Sequence, residues 1–206
     1  MSNRSDKALG LDRVRAALDG RTHETADVEN GDRFAAVAAI LRERDGTTEV
    51  LLMRRAEHEG DPWSGHMAFP GGRQDPSDRD LLFTVVRETE EEIGLRLRPE
   101  TELIGRLDDL PAVARGRRVG LVIAPFVFGV TGDPSFVPNR SEVEEILWAP
   151  VLPLMSGERD TTITWKFDGR TYEMPGYDVD GRIVWGLTHR MLGALFDVLD
   201  GRAKKG

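Results

Sequence analysis

The stretch Arg87-Glu88-Thr89-Glu90-Glu91-Glu92-Ile93-Gly94-Leu95 concentrates more chemistry than any other part of the chain. At 100° per residue on an α-helix, Glu88, Glu91 and Glu92 fall within about 100° of one another, and Glu90 points nearly opposite. Carboxylates crowded on one face repel each other. They also sit towards the helix C-terminus, where the macrodipole disfavours negative charge. A hard divalent cation relieves both costs, because Mg²⁺, or Mn²⁺ in its place, takes oxygen ligands and binds carboxylates together with substrate phosphates. Glu88, Glu91 and Glu92 are therefore the candidate metal ligands. A solvated helix face is the other account of such a run, and two neighbours argue against it. The helix is entered from Phe69-Pro70-Gly71-Gly72, a glycine turn in which backbone can approach a ligand closely. Arg87 can pair with Glu91 one turn on and hold the acidic face in place.

The elements around this stretch follow from periodicity and punctuation. Asp75-Pro76 and Gly94 predict a helix over roughly 77–93. The apolar run Phe34 to Leu41 predicts a buried strand, joined through Glu43-Arg-Asp-Gly46 to a second strand at Glu49–Arg54. Gly60, Pro62, Gly65, Pro70, Gly71, Gly72 and Pro76 make 56–78 a loop, with at most a short strand around Met67–Phe69. Strands are expected near 101–107, 119–130 and 145–149, and a hairpin over 162–177 turning at Asp168-Gly169. Leu187, Met191, Leu192, Leu195, Phe196 and Leu199 mark a last helix at about 187–199. Leu11, Val14 and Leu18 give one apolar face to a short helix in a polar arm, residues 1–32, in which Gly20 to Asp32 reads as a linker. The main domain then covers 33–200 and the tail 201–206. The fold class is α/β in the mixed α+β sense, a mixed sheet packed by helices.

Gly72, Arg87-Glu88, Glu91-Glu92, Gly94 and Leu95 resemble the Nudix box, Gly-x5-Glu-x7-Arg-Glu-U-x-Glu-Glu-x-Gly-U, where U is a bulky aliphatic residue. Three positions depart from it. Thr89 stands in place of U, the interval from Gly72 to Arg87 is one residue longer, and the first Glu has no exact equivalent, Asp78 and Asp80 being nearest. Leu51-Leu52 to Arg55, Gly65-x-x-x-Phe69-Pro70-Gly71-Gly72, Leu107-Asp108 with Leu110, Pro138-Asn139-x-x-Glu142-Val143-x-Glu145 and Trp185-Gly186-Leu187-Thr188 are similar to the coenzyme A pyrophosphatase branch of that family. These matches span about residues 34–199. One segment differs. The branch carries Leu-Arg-x-His-x-Gly-Gln before its Phe-Pro-Gly-Gly, whereas Glu59 to His66 here has one extra residue and no matching Arg or Gln.

The resemblance implies a Nudix fold, a mixed β-sheet sandwiched between helices. It implies hydrolysis of the pyrophosphate bond in a small-molecule nucleoside diphosphate linked to another group, coenzyme A or a derivative first, with ADP-ribose, a nucleotide sugar or another nucleotide as alternatives. It implies Mg²⁺ or Mn²⁺ on Glu88, Glu91 and Glu92, with Glu88 also orienting or deprotonating water and Arg87 in the catalytic set. A further carboxylate from a later loop is expected, Glu142 or Glu145, with Glu144 beside them. Arg55 is expected at phosphate, and the Gly71 and Gly72 carbonyls near the metal. A non-catalytic Nudix-fold regulator and an acidic protein-docking helix are the competing classes. The scattered histidines, His23, His58, His66 and His189, show no paired ligand spacing, although His66 lies just before the glycine turn. Trp63 could stack on a base or pack beneath the loop.

Composition excludes several other functions. Lys+Arg 28 against Asp+Glu 36 gives a net charge of −8, which argues against a broad nucleic-acid or anionic-membrane surface. A local basic site remains open, and Arg115, Arg117 and Arg118 are the group that could meet a substrate 3′-phosphate. With no cysteine there is no disulfide framework, thiolate zinc site or Cys nucleophile. Phosphate-binding P-loop, dinucleotide and serine-elbow motifs are absent. The first residues, Met-Ser-Asn-Arg-Ser-Asp, lack a signal-peptide core, and no run reaches transmembrane length, so the expected location is the cytoplasm, with no membrane partner. The arm could help form a homodimer.

Overall fold

The apolar run from Phe34 becomes the spine of the molecule. A computed structural model describes residues 9–29, 31–59, 63–114, 117–167 and 169–202. Asp168 of the expected turn, Gly60 and Pro62 of the loop, and Arg115 lie outside the described residues. In chain order the elements are α1 (Leu11–Leu18), β1 (Arg33–Arg44), β2 (Thr47–Arg55), β3 (Met67–Ala68), β4 (Gly71–Arg73), α2 (Leu81–Ile93), α3 (Pro99–Glu102), β5 (Leu103–Arg106), β6 (Leu110–Ala114), β7 (Arg117–Val130), β8 (Val143–Pro150), α4 (Val151–Met155), β9 (Asp160–Phe167), β10 (Arg170–Val179), β11 (Arg182–Trp185) and α5 (Gly186–Leu199).

β1 pairs in parallel with β7, from Arg33↔Leu121 to Arg42↔Val130, and antiparallel with β2 and β4. The larger sheet runs β3-β2-β1-β7-β5, with β4 on β1, β6 on β7 and β8 on β2; β11-β10-β9 form a separate sheet. Alternation along β1 divides its side chains between two cores. Ala35, Ala39 and Leu41 face a cluster with Val14 and Leu18 of α1 and Leu192 and Leu195 of α5. Ala36, Ala38 and Ile40 face Val85 and Ile93 of α2. The mixed sheet is thus sandwiched between helices, as expected. Among the described residues no helix is long and apolar enough to cross a membrane.

Three local differences from the sequence expectation have physical causes. α2 starts at Leu81 rather than near 77, because Asp80 is its N-cap and accepts from the Phe83 N–H at 2.7 Å. Asp75 instead closes a turn, accepting from the Ser77 N–H (2.8 Å) and hydroxyl (2.6 Å). The stretch from Gly20 to Asp32 is fastened to the body. Arg21 Nη2 and the Glu24 N–H donate to Asp108 at 2.6 and 2.7 Å, and the Asp109 N–H donates to the Glu24 carbonyl at 2.9 Å. Arg21 and Glu24, in the stretch that read as a linker, thus have partners more than eighty positions away.

Candidate active site

The two glycines of the turn do different jobs. Gly71 has φ of 140°, and a Cβ on it would lie 2.2 Å from the Ala36 carbonyl oxygen, so only glycine lets β4 press against β1. Its N–H donates to Glu92 Oε2 at 2.7 Å. A Cβ on Gly72 would lie 2.3 Å from Glu88 Oε2, so the missing side chain is the space that the Glu88 carboxylate fills. Acidic helix and glycine turn therefore form one surface.

Arg87 organises that surface from the helix side. Its Nε and Nη2 grip Asp78 at 3.0 and 2.8 Å, and its Nη1 reaches Glu88 Oε1 at 2.8 Å and Glu91 Oε2 at 3.0 Å. Asp78 has a fully buried carboxylate, which also accepts from the Thr84 hydroxyl (2.9 Å) and the Asp75 N–H (3.0 Å). The Arg87 hydrogen bonds hold the Asp78 carboxyl well below the usual carboxylate range, and Arg87 is itself shifted up by Asp78. Thr89, the departure from an aliphatic position, is fully buried and donates its hydroxyl to the Val85 carbonyl at 2.7 Å. The polar atom is thereby satisfied within the helix, and a threonine serves where a hydrocarbon is usual.

The far end of α2 positions the later loop. Gly94 ends the helix in the left-handed region at φ 70°, where a Cβ would meet Val137 at 2.8 Å. The terminal carbonyls of Ile93 and Glu92 then accept from the N–H groups of Val137 (2.9 Å) and Asn139 (2.8 Å). The Asn139 carbonyl in turn accepts from Glu142 (2.9 Å) and Val143 (2.8 Å), and the Glu142 carbonyl from the Ala56 N–H (2.8 Å). Glu142 is thereby held beside the acidic face. A hollow of about 340 Å³, lined by Ala56, Glu57, Arg140, Val143 and Glu144, adjoins this turn. A second hollow, of about 350 Å³ between α4, β10 and α5, is on the opposite side of the sheet from α2.

Burial and crowding show in the proton affinities. Glu92 is 4% exposed, and burial pushes it up to about 8; the Gly71 N–H and the Arg55 charge pull it down, while Glu88 and Glu142 push it further up. Glu88 is also raised, first by burial, against the Arg87 hydrogen bond, with Glu91 and Glu142 adding to the rise. Glu145 is elsewhere engaged: Arg182 of β11 grips both its oxygens, one through Nε at 3.0 Å. Among the described residues no three His, Asp or Glu side chains already converge as a cation site. Glu88 and Glu91 are turned onto Arg87, and Glu92 onto Gly71. The donor set is nonetheless all hard oxygen, on one face, with two members whose charge lacks full compensation.

Two features escaped the sequence. Arg182 lies on β11, an element with no expected strand, so its pairing with Glu145 gave no signal. The Thr188 hydroxyl donates to the Met67 carbonyl at 3.0 Å, tying the start of α5 to β3 and so to the approach of the glycine turn. The His66 ring packs against Trp185 at 4.8 Å with the planes tilted by 59°, and His189 packs against Tyr177 at 4.5 Å.

Residues 32–166 match the NUDIX domain model. The chain is 38% identical over 116 residues to the uncharacterized protein C14C4.10c of Schizosaccharomyces pombe, covering 55% of this chain but 35% of that protein, so it spans about a third of that relative's length. It is 31% identical over 184 residues to the human mitochondrial coenzyme A diphosphatase NUDT8, covering 88% of this chain and 74% of that protein. In fold it is similar to a MutT/nudix family protein from Enterococcus faecalis, with a TM-score of 0.57 at 18% identity over 86% of this chain and 66% of that one. With well over half its length matched and the acidic helix joined to the glycine turn, the chain belongs to the NUDIX family, among its hydrolases.

Proposed function

We propose that the chain hydrolyses the pyrophosphate bond of a nucleoside diphosphate linked to another group, with Mg²⁺ or Mn²⁺ held by Glu88, Glu91 and Glu92. The observation that carries this is the junction of buried Glu92 with the Gly71 N–H and of Glu88 with the space over Gly72. The oxygen donors fit a hard cation, and the raised proton affinities of Glu88 and Glu92 mark the charge that such an ion would neutralise. Bound there, the ion would offset charge on the bridging phosphate and acidify a water.

The chain's own groups do the rest. Water oxygen attacks one phosphorus, its bond to the bridging oxygen breaks, and the water proton passes to a carboxylate. Glu142 is the proposed base, rather than Glu145, because Glu145 is committed to Arg182. Glu88 orients the water, and Arg87, anchored on Asp78, positions Glu88 and Glu91. Arg55 contacts phosphate, and the Gly71 carbonyl is the glycine oxygen left to the same group, since Gly72 is paired with Ala36 in the β1–β4 ladder.

Coenzyme A or a derivative is the leading substrate, on the branch motifs and the similarity to a coenzyme A diphosphatase. One observation favours a substrate without a 3′-phosphate, such as ADP-ribose. Arg118 is occupied by the Asp27 carbonyl (2.7 Å), Asp32 (3.0 Å) and Glu29 (3.6 Å), and no arginine lies between Arg55 and Arg73. Product masses from coenzyme A, its 3′-dephospho form and ADP-ribose, with Mg²⁺, separate these. Faster cleavage of the dephospho form together with good ADP-ribose turnover removes the coenzyme A assignment. Nucleotide binding with no cleavage of any diphosphate makes the chain a regulator instead.

A further inference from the structure

On the side of the sheet away from the acidic helix, the hollow of about 350 Å³ between α4, β10 and α5 is lined by groups the chemistry above does not use. Tyr177 of β10 and Asp160 of β9 are opposite each other in the antiparallel ladder, so their side chains leave the sheet on one face, and both line the hollow. From α5, Gly193 and Asp197 line it one turn apart. His189, a further turn back, packs against Tyr177 at 4.5 Å, and Phe196 does so at 5.9 Å.

Two features of the hollow have no packing reason. Tyr177 is 7% exposed, yet among the described residues its hydroxyl has no hydrogen-bond partner. The hydroxyl is aimed into the hollow: burial raises the phenol's proton affinity, and the charges of Asp160 and Asp197, on the hollow's lining, raise it further. A buried hydroxyl that is left unpaired costs stability, so one that opens onto a hollow marks the place of an outside partner. The second feature is Gly193, which stands inside α5, where glycine is the poorest helix former after proline. A Cβ there would meet nothing within 4 Å, and the backbone is not in the left-handed region. The helix would accept a side chain at this position, and the glycine keeps the hollow open.

The charges around it select the partner. Among the described residues no cation pairs with Asp160, and Asp197 has the exposed Arg202, whose Nη2 stands at 3.4 Å from it and at 2.9 Å from Asp200. Two carboxylates, a phenol oxygen and the rings of Tyr177 and Phe196 suit an ammonium on a short hydrocarbon stem. The carboxylates take its charge, the phenol oxygen accepts a further N–H, and the rings cover the methylenes. An anion would meet both carboxylates, and an apolar ligand would leave the hydroxyl unpaired. We infer that this hollow binds a small aliphatic amine, its ammonium facing Asp160, Asp197 and the Tyr177 hydroxyl and its methylenes in the space over Gly193. The site is separate from the pyrophosphate chemistry and does not rest on it.

Calorimetric titration of the full chain with n-butylamine, at about 0.15 M salt, tests this, with n-butanol as the neutral counterpart. Saturable one-to-one binding of the amine is expected, and none of the alcohol. Asp160→Asn should weaken it at least about tenfold, as loss of a charged hydrogen bond does. Gly193→Leu should abolish it without altering any charge, with Tm held or raised. Tyr177→Phe should weaken it about threefold to tenfold at unchanged Tm, because no native hydrogen bond is lost, and it carries the comparison should Gly193→Leu fail to fold. Binding that survives Gly193→Leu is the general attraction of cations to a chain of net charge −8 and overturns the site. Binding that Glu91→Gln removes belongs to the acidic helix and overturns it equally. Equal binding of n-butanol, or no saturable binding of the amine, overturns the ammonium assignment. A lysine blocked at both ends that binds more tightly than n-butylamine gives the hollow to a partner's side chain and overturns the free amine.

Discussion

Replacing Glu92 by glutamine should stabilise the metal-free protein, and increasingly so as pH rises. Glu92 sits at 4% exposure with its proton affinity raised from 4.5 to about 8. Between those values the folded chain holds a proton that the unfolded chain has released, so stability falls as pH rises through this window and levels off above about 8. At about 1.4 kcal/mol per unit, the carboxyl costs roughly 3 kcal/mol near neutral pH and up to about 5 kcal/mol above its folded pKa. Glutamine has no such cost, and its amide oxygen can still accept from the Gly71 N–H. The raised affinity of Glu88 is present in both proteins and largely cancels from their difference. For a chain of this length 1 kcal/mol is about 2–4 °C in Tm. The variant should therefore melt on the order of 10 °C higher than the parent in chelator at about pH 8.5, and within about 2 °C of it near pH 5. Thermal unfolding followed by circular dichroism across that range measures this directly. Parallel Tm-against-pH curves for the two proteins would refute the burial argument. Mg²⁺ should then raise the parent's Tm at alkaline pH by mass action and do less for the variant, which should also have lost most of its turnover.

The other expectations are shorter. Glu91→Gln should abolish most turnover and leave the metal-free Tm unchanged or slightly higher, since it removes like charge from the face; near-normal activity at limiting Mg²⁺ would remove Glu91 from the ligand set. Asp78→Asn should cost about 3–5 kcal/mol in denaturant unfolding, because it leaves Arg87 without its buried counter-ion. Its kcat should fall as Glu88 and Glu91 lose their common anchor. Starting the chain near Asp32 should keep kcat within a few-fold yet lower Tm markedly, because Leu9, Val14 and Leu18 are core residues; Leu18→Ala alone should cost about 2–4 kcal/mol. A folded truncation with no activity would put the arm in the active site.

The regular parts were legible because periodicity and burial agree. The run at Phe34–Leu41 could only be a strand covered on both faces, and the apolar stripe of the last helix matches the buried set Met191, Leu192, Leu195, Phe196 and Leu199. The acidic face was legible for a similar reason, since a helix angle needs no tertiary knowledge. What could not be read are choices among equivalent partners. Asp75, Asp78 and Asp80 follow one another closely, and the fold gives them a turn, a buried ion pair and an N-cap in that order. Glu142, Glu144 and Glu145 are likewise adjacent in sequence, yet one lies by the acidic face, one meets Arg54 and one meets Arg182. Which partner each takes is set by chain brought from far away.

The ordering of those carboxylates explains how the chain tolerates its own acidic face. The charges of α2 lie at the unfavourable end of the helix dipole, and Arg87, at the start of the cluster, offsets those of Glu88 and Glu91. That arginine is held by Asp78, which stands six residues after Gly72 where the box pattern has its first Glu, so the extra residue falls between Asp78 and Arg87. Arg87 thus lends its charge to Glu88 and Glu91 but is anchored away from them, and among the described residues Glu92 receives the Gly71 N–H and the Arg55 charge. Had Arg87 no acidic partner of its own, it could settle wholly into the cluster and neutralise it. Asp78 takes up that excess, so the face keeps carboxyls whose ionisation is incompletely compensated, and a divalent cation that displaces their protons can claim them.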